Sequence, residues 1–390
     1  MSWPSVKLEA VSEFIRNGAS IKQSNDAAGL PITRIETIAD RTVNLDKCGY
    51  ADVSEVEYLN YRLRNGDILI SHINSEKHLA KCAIFESDRG DIVHGMNLLC
   101  LRPSCEVVFS KYLFHYLSSS VFLRLIPAIT KKSVNQASFT VTAFKDLEIP
   151  LPPLPEQKRI AAILDKADAI RRKRQQAIQL ADDFLRAVFL DMFGDPVTNP
   201  KGWPVDKFGN VFDVRDGTHD SPSYVSSGFP LITSKNIKNG EIDMLDVNYI
   251  SKEDYELINR RSKVDVGDIL MPMIGTIGNP AIVRDEPLFA IKNVALIKLG
   301  RSSLPAEFVL ALLNGPLLEA AVQQKSRGGT QKFLGLGDIR DLNCYLPDER
   351  LVSKYIGIAN KVRQFASAYR KADEAGLEGS LSQKAFSGHL

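Results

Sequence analysis

Three clusters of residues carry the chemistry this chain could perform. Asp216-Gly217-Thr218-His219-Asp220 sets two aspartates near an imidazole. Such a run suits a tight turn, in which glycine frees the backbone and Asp and Thr satisfy nearby amides. It also suits part of a metal centre, or a base or phosphate contact through Thr218 and His219. The turn is preferred to the metal, because no second ligand cluster elsewhere completes a coordination shell. The second cluster is a pair of polar loops, Lys131-Lys132-Ser133-Val134-Asn135-Gln136 and Lys325-Ser326-Arg327-Gly328-Gly329-Thr330-Gln331-Lys332. Lys, Arg, Asn, Gln and Ser/Thr hold phosphates and read base edges, and glycines let backbone amides approach a phosphate closely. The third, Arg171-Arg172-Lys173-Arg174, suits contact with a DNA backbone or an acidic partner, but reads first as the solvated flank of a coiled coil, with Asp165 and Asp168 at helical spacing to pair with it.

Catalytic signatures are missing. No phosphate loop, dinucleotide fingerprint, nucleophile elbow or zinc-protease motif occurs, and Gly278-Asn279-Pro280 lacks the second proline and the aromatic residue of the adenine methyltransferase motif. Catalysis by this chain is not expected, nor is a cofactor of its own.

The elements that must position these clusters come in two copies. Trp3-Pro4 with Lys7 recurs as Trp203-Pro204 with Lys207, Gly29-Leu30-Pro31-Ile32 as Gly228-Phe229-Pro230-Leu231, and Gly66-Asp67-Ile68-Leu69 as Gly267-Asp268-Ile269-Leu270. Gln136 and Asp146 match Gln331 and Asp341, and the order never changes, so two copies of about 195 residues fill the chain. Within each, short Ile/Val/Leu-rich runs bounded by Gly, Asp, Asn and Pro predict strands, followed by a helical stretch. The proline-rich exit Pro150-Leu151-Pro152-Pro153-Leu154-Pro155 then precedes a run from Glu156 to Met192 without Pro or Gly. Its residues Ile160, Ile163, Leu164, Ala167, Ile170, Ala177, Ala181, Phe184, Leu185 and Val188 repeat at helical spacing, predicting a helix of roughly 55 Å. A second, from Asp348 to about Phe386, carries Val352, Tyr355, Ile356, Ala359, Val362, Ala366, Tyr369 and Ala372. Neither buries its stripe alone, so the two are expected to pack antiparallel.

The fold class read from this pattern is mixed α/β (α+β): two strand-and-helix domains separated by an antiparallel coiled coil, with an internal pseudo-twofold repeat. The expected boundaries are 1–150, 151–195, 196–347 and 348–390. Among 390 residues, 44% are hydrophobic and 25% charged, which fits globular folding and excludes disordered and collagen-like classes. A net charge of +2 is low for a dedicated nucleic-acid binder, so any such role needs a local basic surface or partners that share the phosphate contacts. The five cysteines form no C-x-x-C pair and are expected to be buried thiols. No apolar run reaches the ~18 residues of a membrane span and no signal peptide pattern opens the chain, so a cytoplasmic location is expected.

Taken together, these residues resemble the specificity subunit of Type I restriction-modification systems. The match lies in Pro150 to Ile160 leading into the long helix, in Asp216-Gly217-Thr218-His219 followed by Pro222 and Tyr224, in both Gly-Asp-Ile-Leu segments, and in Gly275-Thr276-Ile277-Gly278. The resemblance implies two target-recognition domains, each reading one part of a bipartite asymmetric site on double-stranded DNA. It further implies two modification subunits that bind S-adenosylmethionine and methylate adenine, and restriction subunits that use ATP and Mg. The candidate DNA-binding set is then Arg34, Ser71, His72, Lys131, Lys132, Asn135, Gln136, Thr218, His219, Lys235, Arg327, Thr330, Gln331 and Lys332. The copies differ within it: Asn17-Gly18 stands where the second has Asp216-Gly217, and Ser71-His72-Ile73 where it has Met271-Pro272-Met273. A two-headed coiled-coil scaffold binding protein or RNA is the competing reading.

Overall fold

The computed structural model describes residues 3–25, 29–38, 41–134, 136–220, 222–238, 240–273, 279–326, 334–374 and 377–390. The chain forms two compact units, Met1–Gln175 with Lys371–Leu390, and Gln176–Arg370.

In the first unit an antiparallel sheet orders its strands Ser12–Asn17, Leu98–Pro103, Ile68–Ser71 and Cys82–Ile84. The second repeats this as Asp213–Asp216, Val294–Lys298, Ile269–Pro272 and Ala281–Ile282. In each, the opening strand also pairs with the strand just before a long helix, through Val6↔Ile149 in one and Asp206↔Cys344 in the other. The internal repeat is thus a repeat of topology, down to strand order.

The Gly-Asp-Ile-Leu segments explain themselves. Gly66 and Gly267 sit at φ +92° and +90°, where a side chain would be strained. The aspartate that follows accepts from the amide three residues back, Asp67 from Arg64 and Asp268 from Asp265, both at 2.8 Å. Its buried charge is met from the neighbouring strand by Arg102 at 2.7 Å in one unit and by Lys298 at 2.8 Å in the other. A buried carboxylate without such a partner would be strongly unfavourable. The strand can then bury Ile68, Leu69 and Ile70 completely.

The central helix, Leu154–Phe193, is 40 residues long and belongs to both units. Its entry is fixed by Gln157, 1% exposed, whose Oε1 accepts from the Phe109 amide while Nε2 donates to the Pro152 and Val107 carbonyls. In the first unit Ile160, Ala161 and Leu164 join a core with Tyr112, Tyr116 and, from the last helix, Ala385 and Phe386. In the second, Leu185, Phe189 and Phe193 pack with Val352, Tyr355 and Ala359. Phe193 meets Tyr355 while Asp182 pairs with Arg370 at 3.6 Å, so the helices run antiparallel there.

Two expectations need correction. Along the C-terminal run, Glu349–Glu374 and Leu377–Phe386 are helical, with 375–376 outside the described residues. The stripe on the central helix is buried only where a module or the other helix covers it, so Ile170 and Phe184 remain 45% and 51% exposed. On the second stripe, the side chain of Ala372 lies outside the described residues. Among the thiols, Cys82, Cys100 and Cys344 are buried, whereas Cys48 is half-buried and Cys105 exposed. No helix among the described residues is long and apolar enough to cross a membrane.

Candidate nucleic-acid interface

In the first unit, three short antiparallel strands join candidates far apart in sequence. Lys131–Lys132 pairs with Ala137–Ser138, which pairs with Ile73–Asn74 directly after Ser71 and His72. The hairpin closes when the Gln136 carbonyl accepts from the Ser133 amide and hydroxyl. Lys131, Lys132, Val134 and Gln136 are exposed on it, Val134 almost wholly. Lys132 pairs with Glu76 at 2.7 Å, and Lys131 has no ion pair among the described residues. Asn135 lies outside them.

Ser71 and His72 do not share that surface. Ser71 is 1% exposed and accepts from Asn74 Nδ2 at 3.2 Å. His72 is buried beneath the hairpin, its carbonyl accepting from the Phe139 amide and its ring edge-on to Phe139. Burial holds the His72 pKa below its ordinary value, so the ring is neutral. Both are buried next to the strand Ile73–Asn74 that carries the hairpin. Arg34 is engaged within its own unit: Nε, Nη1 and Nη2 donate to Gln23, Asn25 and the Ser24 carbonyl, and the guanidinium lies over Gly49, where a Cβ would clash. These bonds use three of its five N–H groups.

In the second unit, the Asp216–Asp220 run is not a turn pivoting on glycine. Asp213–Asp216 is a strand and Thr218 continues with a parallel bridge to Lys292. Gly217 is required by proximity, since a Cβ there would sit 2.3 Å from the Ile291 carbonyl oxygen. Gly18 is under the same constraint from Gly95, at 2.2 Å. Asp216 is buried and its carboxylate is engaged by two basic side chains: Oδ2 meets His219 Nε2 and Oδ1 meets Arg261 Nη2, each at 2.6 Å. His219 Nδ1 faces Asn293 Oδ1 at 2.9 Å, and the hydrogen bonds to Asn293 and Asp216 raise its pKa. No group of three or more His, Cys, Asp or Glu able to hold a metal occurs among the described residues. Lys235 is exposed and faces Asp246 at 3.4 Å, while Arg327, Thr330, Gln331 and Lys332 lie outside the described residues. Sequence reasoning missed Arg261 and Asn293. Arg261 had a readable signal, because it occupies the position of Asn60 in the other copy.

The arginine-rich stretch of the central helix is organised by Asp168, 5% exposed, which pairs with Arg171 and Arg172 of its own helix and with Arg41 from the strand-rich module. Burial would raise the Asp168 pKa, but the three guanidinium groups prevail and hold it below its ordinary value. Asp165 turns instead to His115 and Lys111.

A duplicated module with one topology and two unlike surfaces, joined by long antiparallel helices, defines a class of two-part recognition protein. Comparisons with known proteins narrow the class. The profile described as the Type I restriction modification DNA specificity domain matches residues 2–180. A putative type I restriction enzyme MjaX specificity subunit of Methanocaldococcus jannaschii is 32% identical over 363 residues, covering 88% of this chain and 83% of that protein. The EcoBI specificity subunit of Escherichia coli is 26% identical over 313 residues, covering 71% and 65%. The crystal structure of the S subunit of a Type I restriction-modification system from M. genitalium shares the fold, with a TM-score of 0.53 at 14% identity over 99% and 96% of the two chains. This chain belongs to the specificity subunit family of Type I restriction-modification systems.

Proposed function

We propose that this chain is the sequence-reading subunit of a cytoplasmic Type I restriction-modification complex. Residues 1–150 and 196–347 each read one part of a bipartite, asymmetric DNA target, and the helices within 151–195 and 348–390 dock two modification subunits. The chain supplies recognition and no catalytic group; S-adenosylmethionine belongs to the modification subunits, and ATP and Mg to restriction subunits. The observation that carries this reading is the repeat itself: the strand order of the main sheet is kept while the segment that follows its first strand changes, Asn17-Gly18-Ala19-Ser20 against Asp216-Gly217-Thr218-His219. Two unlike readers on one chain match a target with two unlike halves.

DNA contacts are assigned to Lys131, Lys132, Asn135 and Gln136 in the first half, and to Thr218, His219, Lys235, Arg327, Thr330, Gln331 and Lys332 in the second. The +2 net charge favours sharing phosphate contacts with the modification subunits. Binding to DNA is therefore measured with and without those subunits. Weak, salt-sensitive binding by the isolated chain and selective binding by the complex is the expected result; tight selective binding by the chain alone, or RNA binding in its place, would overturn it.

A further inference from the structure

One buried carboxylate in the second unit displays two basic side chains at the surface. His219 follows the strand Asp213–Asp216 and Arg261 lies in the last turn of the helix Lys252–Ser262. Asp216 holds one with each oxygen, and their side chains are 62% and 68% exposed. Nη1 and Nε of Arg261 have no partner among the described residues, so the guanidinium is pinned through Nη2 and turns its other donors outward. Both ring nitrogens of His219 face oxygens, Asp216 Oδ2 and Asn293 Oδ1, an arrangement that suits the imidazolium. Lys292, across the bridge from Thr218, and Asp220, next in the chain, complete the charged surroundings.

The first unit is an internal comparison. Arg16 donates to the Asn60 carbonyl just as Arg215 donates to the Arg261 carbonyl at 2.9 Å. The crowded glycines Gly18 and Gly217 align the neighbouring positions. Asn17 therefore corresponds to Asp216, and Asn60 to Arg261. The buried pairs that serve the fold, Asp67 with Arg102 and Asp268 with Lys298, keep their charges in both copies. The Asp216–Arg261 pair is present in one and replaced by two amides in the other, so it belongs with what the halves do differently.

We propose that Arg261, placed by Asp216 beside His219, contacts a backbone phosphate in the part of the DNA read by the second half, and that the first half lacks this contact. The inference rests on the DNA-reading function proposed above. A phosphate fits better than a base edge, because both ring nitrogens of His219 already face Asp216 and Asn293, so beside the exposed guanidinium the ring adds basic character and no further directed donor. Asp216 is a positioning residue.

The test uses the complex with its modification subunits on DNA carrying the methylated target. Arg261→Ala should lower the slope of log affinity against log salt by about 0.9 and leave both methylated half-sequences unchanged. Arg261→Lys, which keeps the charge, should retain the slope. Wild-type affinity should fall as pH rises through the raised His219 pKa, and Asp216→Asn should move that fall to lower pH. An unchanged slope in Arg261→Ala, or an altered second half-sequence, would overturn the phosphate contact while leaving the DNA-reading function intact. A wild-type complex that neither binds nor methylates DNA would sink both.

Discussion

At the scale of single residues, much of what the sequence repeats is structural chemistry, and much of what differs lies at the surface. Asp67 is 1% exposed and receives two hydrogen bonds from Arg102, at 2.8 and 2.7 Å. Arg102→Ala leaves that charge without its cation and is expected to destabilise the first unit by about 3–5 kcal/mol, read from denaturant midpoints. A loss under 1 kcal/mol would mean that the pair is not holding the strand. Asp168 gives a prediction with a sign in pH. Its folded pKa is lowered, so its contribution is complete above the unfolded carboxylate value of about 3.9 and vanishes as pH falls through the lower folded value. Asp168→Asn should flatten that part of the acid unfolding profile; an unaltered acid limb would contradict the account. The polar candidates were harder to read from sequence. Arg34, Ser71 and His72 have the side chains of a DNA contact, yet Ser71 and His72 are buried and Arg34 is hydrogen-bonded within its own unit, and neither feature is visible in residue type.

At the scale of elements, the long central helix was legible because a run without Pro or Gly and a helical apolar period demand one. Which of its residues are covered was not legible, since coverage depends on the partners at each end. From 169 to 180 no residue of that helix is buried, and Ile170 and Leu180 stand 45% and 60% exposed. Gln157 ties the helix entry to Phe109, Val107 and Pro152. Gln157→Ala leaves three backbone groups without this partner, the Pro152 carbonyl among them in a buried bond, and should destabilise the first unit by roughly 1–3 kcal/mol, measured by thermal unfolding. The sparsely buried stretch also makes an insertion test practical. Four residues added there contribute about 6 Å of helix and slightly more than a full turn, so the buried ends nearly keep their register. The unspecified spacer of the DNA target should lengthen by up to about two base pairs, with both half-sequences retained. Two added residues turn one stripe outward and should lower the melting temperature instead. An unchanged spacer with altered half-sequences would show that the helix does not set the spacing.

At the scale of the whole molecule, the duplication was the most informative feature of the sequence, because ordered matches through the full length fix a shared topology before any strand is placed. The structure gives that duplication physical content in matching strand orders and matching turns at Gly66 and Gly267. What recurs builds the module; what diverges, such as Asp216 and Arg261 against Asn17 and Asn60, gives each half its own surface. The most direct test of this account is a map of methylated adenines in DNA modified by the chain together with its methyltransferase partners. The predicted result is one asymmetric motif of two unlike half-sequences separated by an unspecified spacer, and a continuous motif, a palindrome or no motif at all would contradict it.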